Sequence, residues 1–254
     1  MTERMKVLGS PISLEEAKVL YEGGIDIIDV KNVKEGSLGA SFPWIIREIV
    51  HAFPADPVLQ FSATLGDLAY KPGTAALAAL GAAVSGVHYV KAGLHGVRTY
   101  QEAKEMMQAV VRACRSHRPT INVVAAGYAD FRRFGGLSTG ELVAAAHDAG
   151  ADLVMVDTAI KDGTTLFDAL SYEEIGGFVQ AARAAGLRVA LAGSIGHAHL
   201  PQLKQLQPDV IGVRGALCSQ GDRTTGITLE RVQEFMQAAR GPAIDAAAVG
   251  AHDA

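Results

Sequence analysis

The stretch Gly24-Ile-Asp-Ile-Ile-Asp-Val-Lys31 decides the fold, because it returns as Gly150-Ala-Asp-Leu-Val-Met-Val-Asp157. Each copy leads from a glycine turn into a short aliphatic run and ends on a charged residue. Looser copies are Gly86-Val-His-Tyr-Val-Lys91 and Pro208-Asp-Val-Ile-Gly-Val-Arg214. Runs this short, rich in Val and Ile and bounded by glycine, fit strands buried on both faces. Reading outward from them, strands are expected at Lys6–Gly9, Asp26–Lys31, Pro57–Ala63, Val87–Lys91, Thr120–Ala125, Asp152–Asp157, Arg188–Ala192 and Asp209–Val213.

Helical segments fill the intervals. Ser13/Glu16, Thr99/Glu102, Ser138/Glu141 and Ser171/Glu174 have the spacing of capping boxes. Gly23-Gly24, Gly150 and Gly186 stand where left-handed caps end helices. Pro43 sits near the start of the second helix, and a helix from Thr228 to about Arg240 closes the series. Gly241-Pro242 should stop it, leaving 241–254 as a loose tail to a single domain over 1–240. Eight strands alternating with helices over 254 residues match a single (β/α)8 TIM barrel, an α/β fold. A doubly wound open sheet is the alternative, but the chain after the first strand reads Gly9-Ser10-Pro11-Ile12, not a Gly-x-Gly-x-x-Gly turn.

Composition narrows the function. A net charge of −4 argues against a nucleic-acid partner, since neutralising phosphates needs a basic face. No apolar run approaches the roughly 20 residues of a membrane helix, and the first residues lack the apolar core of a signal peptide. The most apolar stretch, Thr74 to Val87, is mostly Ala and Gly. Two cysteines, Cys114 and Cys218, make neither a disulfide framework nor a four-cysteine zinc site. His197 and His199 are expected to flank a helix start, and Cys218 to be a small buried hydrophobe. No metal and no cofactor are expected. A cytoplasmic homo-oligomer acting on a small molecule is.

In a barrel, chemistry sits at the C-terminal strand ends. That rim carries Asp29 and Lys31 on strand two, Lys91 on strand four, Asp157 on strand six with Lys161 just beyond, and Arg214 on strand eight. Asp29 and Lys31, two apart, point to the same side of the sheet. The chain has nine Lys and 14 Arg, yet lysine stands at three of these places. Only lysine can become a neutral amine, a base or an imine, and crowded ammonium groups favour the neutral form. The aspartates could balance the cluster and move protons. The plain alternative is a set of salt bridges closing the barrel top. The loops Ala192-Gly193-Ser194-Ile195-Gly196 and Gly212-Val213-Arg214-Gly215-Ala216 stand where barrels commonly bind phosphate. Gly193, Ser194, Gly212, Arg214 and Gly215 are the candidate phosphate residues. Asp67 with Tyr70-Lys71-Pro72-Gly73-Thr74 is a candidate substrate loop, with an ordinary βα loop as the alternative.

Several stretches together resemble the (5-formylfuran-3-yl)methyl phosphate synthase family. They are Asp26-Ile-Ile-Asp-Val-Lys-Asn32, Glu35-Gly-Ser-Leu-Gly-Ala40, Phe42-Pro-Trp44, Tyr70-Lys-Pro-Gly-Thr74, Ala125-Ala-Gly-Tyr-Ala-Asp130, Asp157-Thr-Ala-Ile-Lys-Asp-Gly163, Leu191-Ala-Gly-Ser194 and Gly212-Val-Arg-Gly-Ala216. The resemblance runs from about Lys6 to Arg240. It implies a TIM barrel that condenses two molecules of glyceraldehyde 3-phosphate into a phosphorylated furan aldehyde, a precursor of methanofuran or its bacterial counterpart. It implies a Schiff base on Lys31 and Lys91 as general base, with Asp29, Asp157 and Lys161 completing the catalytic site. Two other readings stay open: a sugar-phosphate isomerase or lyase without a covalent intermediate, and a non-enzymatic phosphometabolite sensor.

Overall fold

The computed structural model describes residues 4–222 and 224–241. Its eight strands pair in parallel and in chain order, and β8 closes on β1, so the sheet is a barrel rather than an open sheet. The elements are β1 (Lys6–Gly9), α1 (Leu14–Glu22), β2 (Ile27–Val30), α2 (Pro43–His51), β3 (Gln60–Ala69), α3 (Pro72–Val84), β4 (Tyr89–Gly96), α4 (Tyr100–His117) and β5 (Asn122–Tyr128). They continue with α5 (Thr139–Ala149), β6 (Leu153–Asp157), α6 (Leu166–Ala169), α7 (Tyr172–Ala184), β7 (Arg188–Leu191), α8 (Leu200–Leu206), β8 (Val210–Val213) and α9 (Leu229–Arg240). The expected stop at Pro242 and the tail beyond it lie outside the described residues.

Three strands run further than their apolar runs. β3 starts at Gln60 and continues to Ala69 through two register shifts against β4. β4 and β5 extend to Gly96 and Tyr128. Lys91 therefore lies inside β4, not at its end. The added residues mix small, polar and aliphatic side chains, Thr64-Leu-Gly-Asp-Leu-Ala69 in β3 among them, and pairing with a neighbouring strand keeps them extended.

Two of the four expected capping boxes are complete, at Ser138/Glu141 and Ser171/Glu174. At Ser13 and Thr99 the hydroxyl accepts from the amide three residues on, as expected. The partner glutamates, however, take the preceding amides, Ile12 and Arg98. Gly23 keeps a right-handed φ of −74°, and Gly24 takes the left-handed one at +76°.

Alternation along the strands sorts the core. Val7, Ile28, Val30, Val90, Val154, Val156 and Leu191 face the helices in the larger apolar cluster. Leu8, Ile27, Tyr89, Val124, Ala126, Leu153, Met155, Ala190, Ala192 and Val210 fill the barrel interior. Asp29, Lys91 and Asp157 share the inward parity with Ile27, Tyr89 and Met155, two residues before each.

Leu38 also belongs to the interior cluster, although it comes from the loop after β2. That loop bends into the barrel mouth. Ser37 Oγ donates to Thr158 O at the β6 end (2.9 Å), and the Leu38 amide donates to Asp67 Oδ2 on β3 (3.3 Å). Thr64 Oγ1 donates to Gly39 O (2.7 Å). Tyr128 OH donates to the other oxygen of Asp67. Gly36 has φ +131°, and a Cβ there would stand 2.1 Å from Asp67 Oδ2. Only glycine permits that approach. Asp67 thus anchors the loop, and Tyr70 is exposed, bonded to Glu105.

Leu38→Ala should remove about 2–5 kcal/mol of stability, the usual range for a fully buried leucine. Urea unfolding measures it, and a loss well below about 1 kcal/mol would show that the loop does not plug the barrel.

Candidate active site

The space left beside the plug is a cavity of about 480 Å3 at the C-terminal mouth. Asp29, Lys31, Lys91, Asp157 and Lys161 all line it, and so do Gly193, Ser194, Gly212, Arg214 and Gly215. Barrel closure therefore brings together both groups read from the sequence.

Lys91 and Asp29 form the deepest pair, Nζ to Oδ2 at 2.7 Å, with side chains 2% and 0% exposed. Ser10 Oγ donates to the same oxygen at 3.1 Å. Asp29 Oδ1 is buried without a hydrogen-bond partner among the described residues. Asp157 holds the opposite side. Its Oδ1 accepts from Lys161 Nζ at 2.8 Å and from the Thr158 amide at 2.7 Å, and Lys161 also reaches Thr158 Oγ1. Burial works against the Asp157 charge, but Lys161 and Lys31 outweigh it and hold the carboxyl below its ordinary value.

Lys31 differs from its neighbours. It keeps partial exposure, and among the described residues its Nζ donates a hydrogen bond to the Ser37 carbonyl, at 3.3 Å, and forms no close ion pair. Burial of its ammonium is the main influence and lowers its pKa, Asp157 and Asp29 oppose it, and Lys91 and Lys161 lower it further. The result is a pKa of about 8. A lysine in that range has a reactive neutral fraction near neutral pH and remains accessible from the cavity.

Arg214 enters the cavity wall with its guanidinium already engaged. Nη1 donates to Glu16 Oε2 and to Ser10 O, both at 2.8 Å, and Nη2 reaches Glu16 Oε1 at 3.4 Å. The pair is 8% and 11% exposed and ties the end of β8 to α1. Burial opposes the Glu16 charge, but the bonds from Arg214 and the Ile12 amide outweigh it, so its carboxyl sits below the usual value. Beside it, Gly193 and Ser194 take φ of +114° and +50°. The amides of Ser194 and Ile195 reach no acceptor among the described residues. Open amides in a glycine turn are the kind of donors an anion can use.

The sequence reading missed Ser10, Ser37, Thr165, His197 and Arg231 as parts of this neighbourhood, of which all but Ser37 line the cavity. Ser10 shares the inward parity of Leu8, so alternation alone could have found it. His197 opens a short turn before α8, as expected, yet also faces the cavity. Cys218 is buried, as expected of a small hydrophobe. Among the described residues no group of His, Cys, Asp or Glu could hold a metal ion, and no helix is long and apolar enough to cross a membrane.

Fold and site define a TIM-barrel protein with a lysine–aspartate centre. Comparison with known proteins makes the assignment specific. The profile of the 4-HFC-P synthase family matches residues 7–236. A relative from Archaeoglobus fulgidus, named (5-formylfuran-3-yl)methyl phosphate synthase, is 54% identical over 93% of this chain and 100% of its own. One of the same name from Methanothermobacter thermautotrophicus is 54% identical over 92% of this chain and 98% of its own. The chain belongs to the 4-HFC-P synthase family and is an enzyme of that synthase class. Among solved structures, KGPDC from Streptococcus mutans superposes with a TM-score of 0.66 at 14% identity, covering 93% of this chain and 97% of that one. A 3-hexulose-6-phosphate synthase gives 0.61 at 17% identity, covering 91% and 99%. These two share the fold alone.

Two outcomes follow from the geometry. Lys31 loses its proton as pH rises through about 8, so its trapping by an aldehyde and borohydride should climb with a midpoint near 8 and then level off; a midpoint near 10, read by intact-protein mass, would contradict the crowded site. Arg214→Ala should lower stability by about 3–5 kcal/mol, because it leaves Glu16 buried and unpaired. The lowered Glu16 pKa adds stability above its unfolded value of about 4.3, lost as pH falls further. Melting curves at pH 7 and pH 3 should therefore differ less in this variant than in the parent.

Proposed function

We propose that the enzyme condenses two molecules of glyceraldehyde 3-phosphate into (5-formylfuran-3-yl)methyl phosphate through a Schiff base on Lys31, as a step toward a methanofuran-type cofactor. The observation that carries this reading is Lys31 itself: a partly accessible amine with a pKa of about 8, in a cavity lined by a lysine–aspartate pair on either side. The activity for which the Archaeoglobus and Methanothermobacter relatives are named supports the product.

The neutral Lys31 amine attacks the aldehyde carbon, and loss of water leaves an iminium. Its positive nitrogen draws electrons from the adjacent carbon, so the proton there becomes removable. Lys91 and Asp29, 2.7 Å apart, can pass a proton between them and accept it as a unit. Asp29 Oδ1, the open acceptor, suits a substrate hydroxyl. The resulting enamine carbon attacks the second aldehyde. Asp157 and Lys161 then serve the proton transfers of cyclisation and dehydration. Two substrate molecules balance one product, one inorganic phosphate and two waters, with no oxidant or reductant. The loops after β7 and β8 supply a phosphate site from Gly193, Ser194, Gly212 and Gly215, with Arg214 at its edge. A sugar-phosphate isomerase without a covalent intermediate would leave three converging lysines without a role.

Incubation with glyceraldehyde 3-phosphate alone should produce an ultraviolet-absorbing furan aldehyde together with inorganic phosphate. Borohydride should fix the adduct on Lys31. Lys31→Arg keeps the charge and cannot form the imine, so turnover should fall by several orders of magnitude. Absence of the absorbing product would refute the reaction, and an adduct on Lys91 or Lys161 would reassign the nucleophile.

A further inference from the structure

Among the described residues, the cavity wall carries one cation that the chemistry above does not use. Lys91 faces Asp29, Lys161 faces Asp157 and Arg214 faces Glu16. Arg231 lies in the first turn of α9 and lines the same cavity. Its Nη1 contacts Glu234 Oε2 at 3.0 Å, one turn along the helix, where the glutamate is 49% exposed. Its Nε is buried and has no hydrogen-bond partner among the described residues. A buried guanidinium N–H without an acceptor is costly and calls for an explanation.

The surroundings suit an anion. Ser194 and Gly215 line the same cavity, as does His197, which lies within reach of the Arg231 charge. The His197 ring stands edge-on to Phe235 at 5.0 Å, and burial, then the Arg231 charge, lowers its pKa. That direction favours the neutral ring, which has one N–H donor. Asp222 is the acid on this side, but it accepts from the Thr224 amide and hydroxyl at 2.9 and 2.8 Å within its own turn. A phosphate monoester carries nearly two negative charges at pH 7, and a guanidinium fork matches its oxygens.

We infer that Arg231, with His197 beside it, binds the substrate phosphate at the β7–β8 end of the cavity, while Arg214 is the brace that holds the rim. This rests on the reading that the substrate is a phosphorylated aldehyde bound next to Lys31. It turns the phosphate site into a joint between the two glycine loops and α9.

Inorganic phosphate is the probe, titrated calorimetrically into the parent, Arg231→Gln and Arg231→Lys. Glyceraldehyde, which has no phosphate, is trapped on Lys31 in parallel. Arg231→Gln should weaken phosphate binding about 10- to 100-fold, the effect of losing one charge-assisted bond, and Arg231→Lys should recover part of it. Glyceraldehyde trapping should be equal in all three. Unchanged phosphate affinity in Arg231→Gln overturns the inference, and so does equal loss of phosphate binding and glyceraldehyde trapping, which would mark a structural role. A parent that binds no phosphate overturns it too, while glyceraldehyde trapping on Lys31 tests the imine reading separately. If the Arg231 variants fail to fold, Glu234→Gln gives the test in reverse: release of the guanidinium should tighten phosphate binding severalfold, and no change counts against the assignment.

Discussion

The site depends on one buried ion pair, Lys91 with Asp29, held at 2.7 Å where almost no water reaches either group. Taking two charges out of water is expensive, and their attraction offsets it only with close geometry and further hydrogen bonds. Ser10 supplies one such bond, yet Asp29 Oδ1 is left open. An apolar pair of similar size would serve stability as well or better. The two charges are therefore carried at some energetic cost, which fits the proton-transfer role proposed for them. Their position sets that of everything above them. Lys31 follows Asp29 by two residues on the same face, and the small inward residues Ala190, Ala192 and Gly212 leave open space in the barrel mouth.

The plug after β2 makes the mouth asymmetric. Leu38 fills the barrel interior, and Asp67, Thr64 and Thr158 hold its loop on two sides. The open cavity is displaced toward β7, β8 and β1. The same loop presents the Ser37 carbonyl to Lys31. One segment thus shapes the cavity and meets the Lys31 amine, and the aromatic contacts of Tyr128 with His95 and Phe134 pack around the tyrosine that holds Asp67.

The inward residues were legible because alternation is a local property. Asp29, Lys31, Lys91 and Asp157 could be placed on one rim from strand parity and residue type. The glycine loops at Gly193 and Gly212 were legible for the same reason. Leu38 was not, because nothing in its own segment distinguishes a leucine that covers a helix from one that enters a barrel. The anchoring bonds of Asp67 were not legible either, since its partners, the Leu38 amide and Tyr128, are 29 and 61 residues away. Glu16 looked like half of a capping box. Its carboxylate instead reaches the preceding amide and, across 198 residues, Arg214.

The sequence by itself determined the barrel, the inward parity and the kinds of charge at the rim, because each follows from chain spacing of a few residues. Tertiary structure alone decided which charges neutralise one another and which stay available. Arg214 is bound to Glu16, Lys91 to Asp29, and Lys31 is left as an amine with a pKa of about 8. The reason is physical. A pKa and a pairing depend on distances between atoms and on the water excluded between them, and both exist only once the eighth strand has closed on the first.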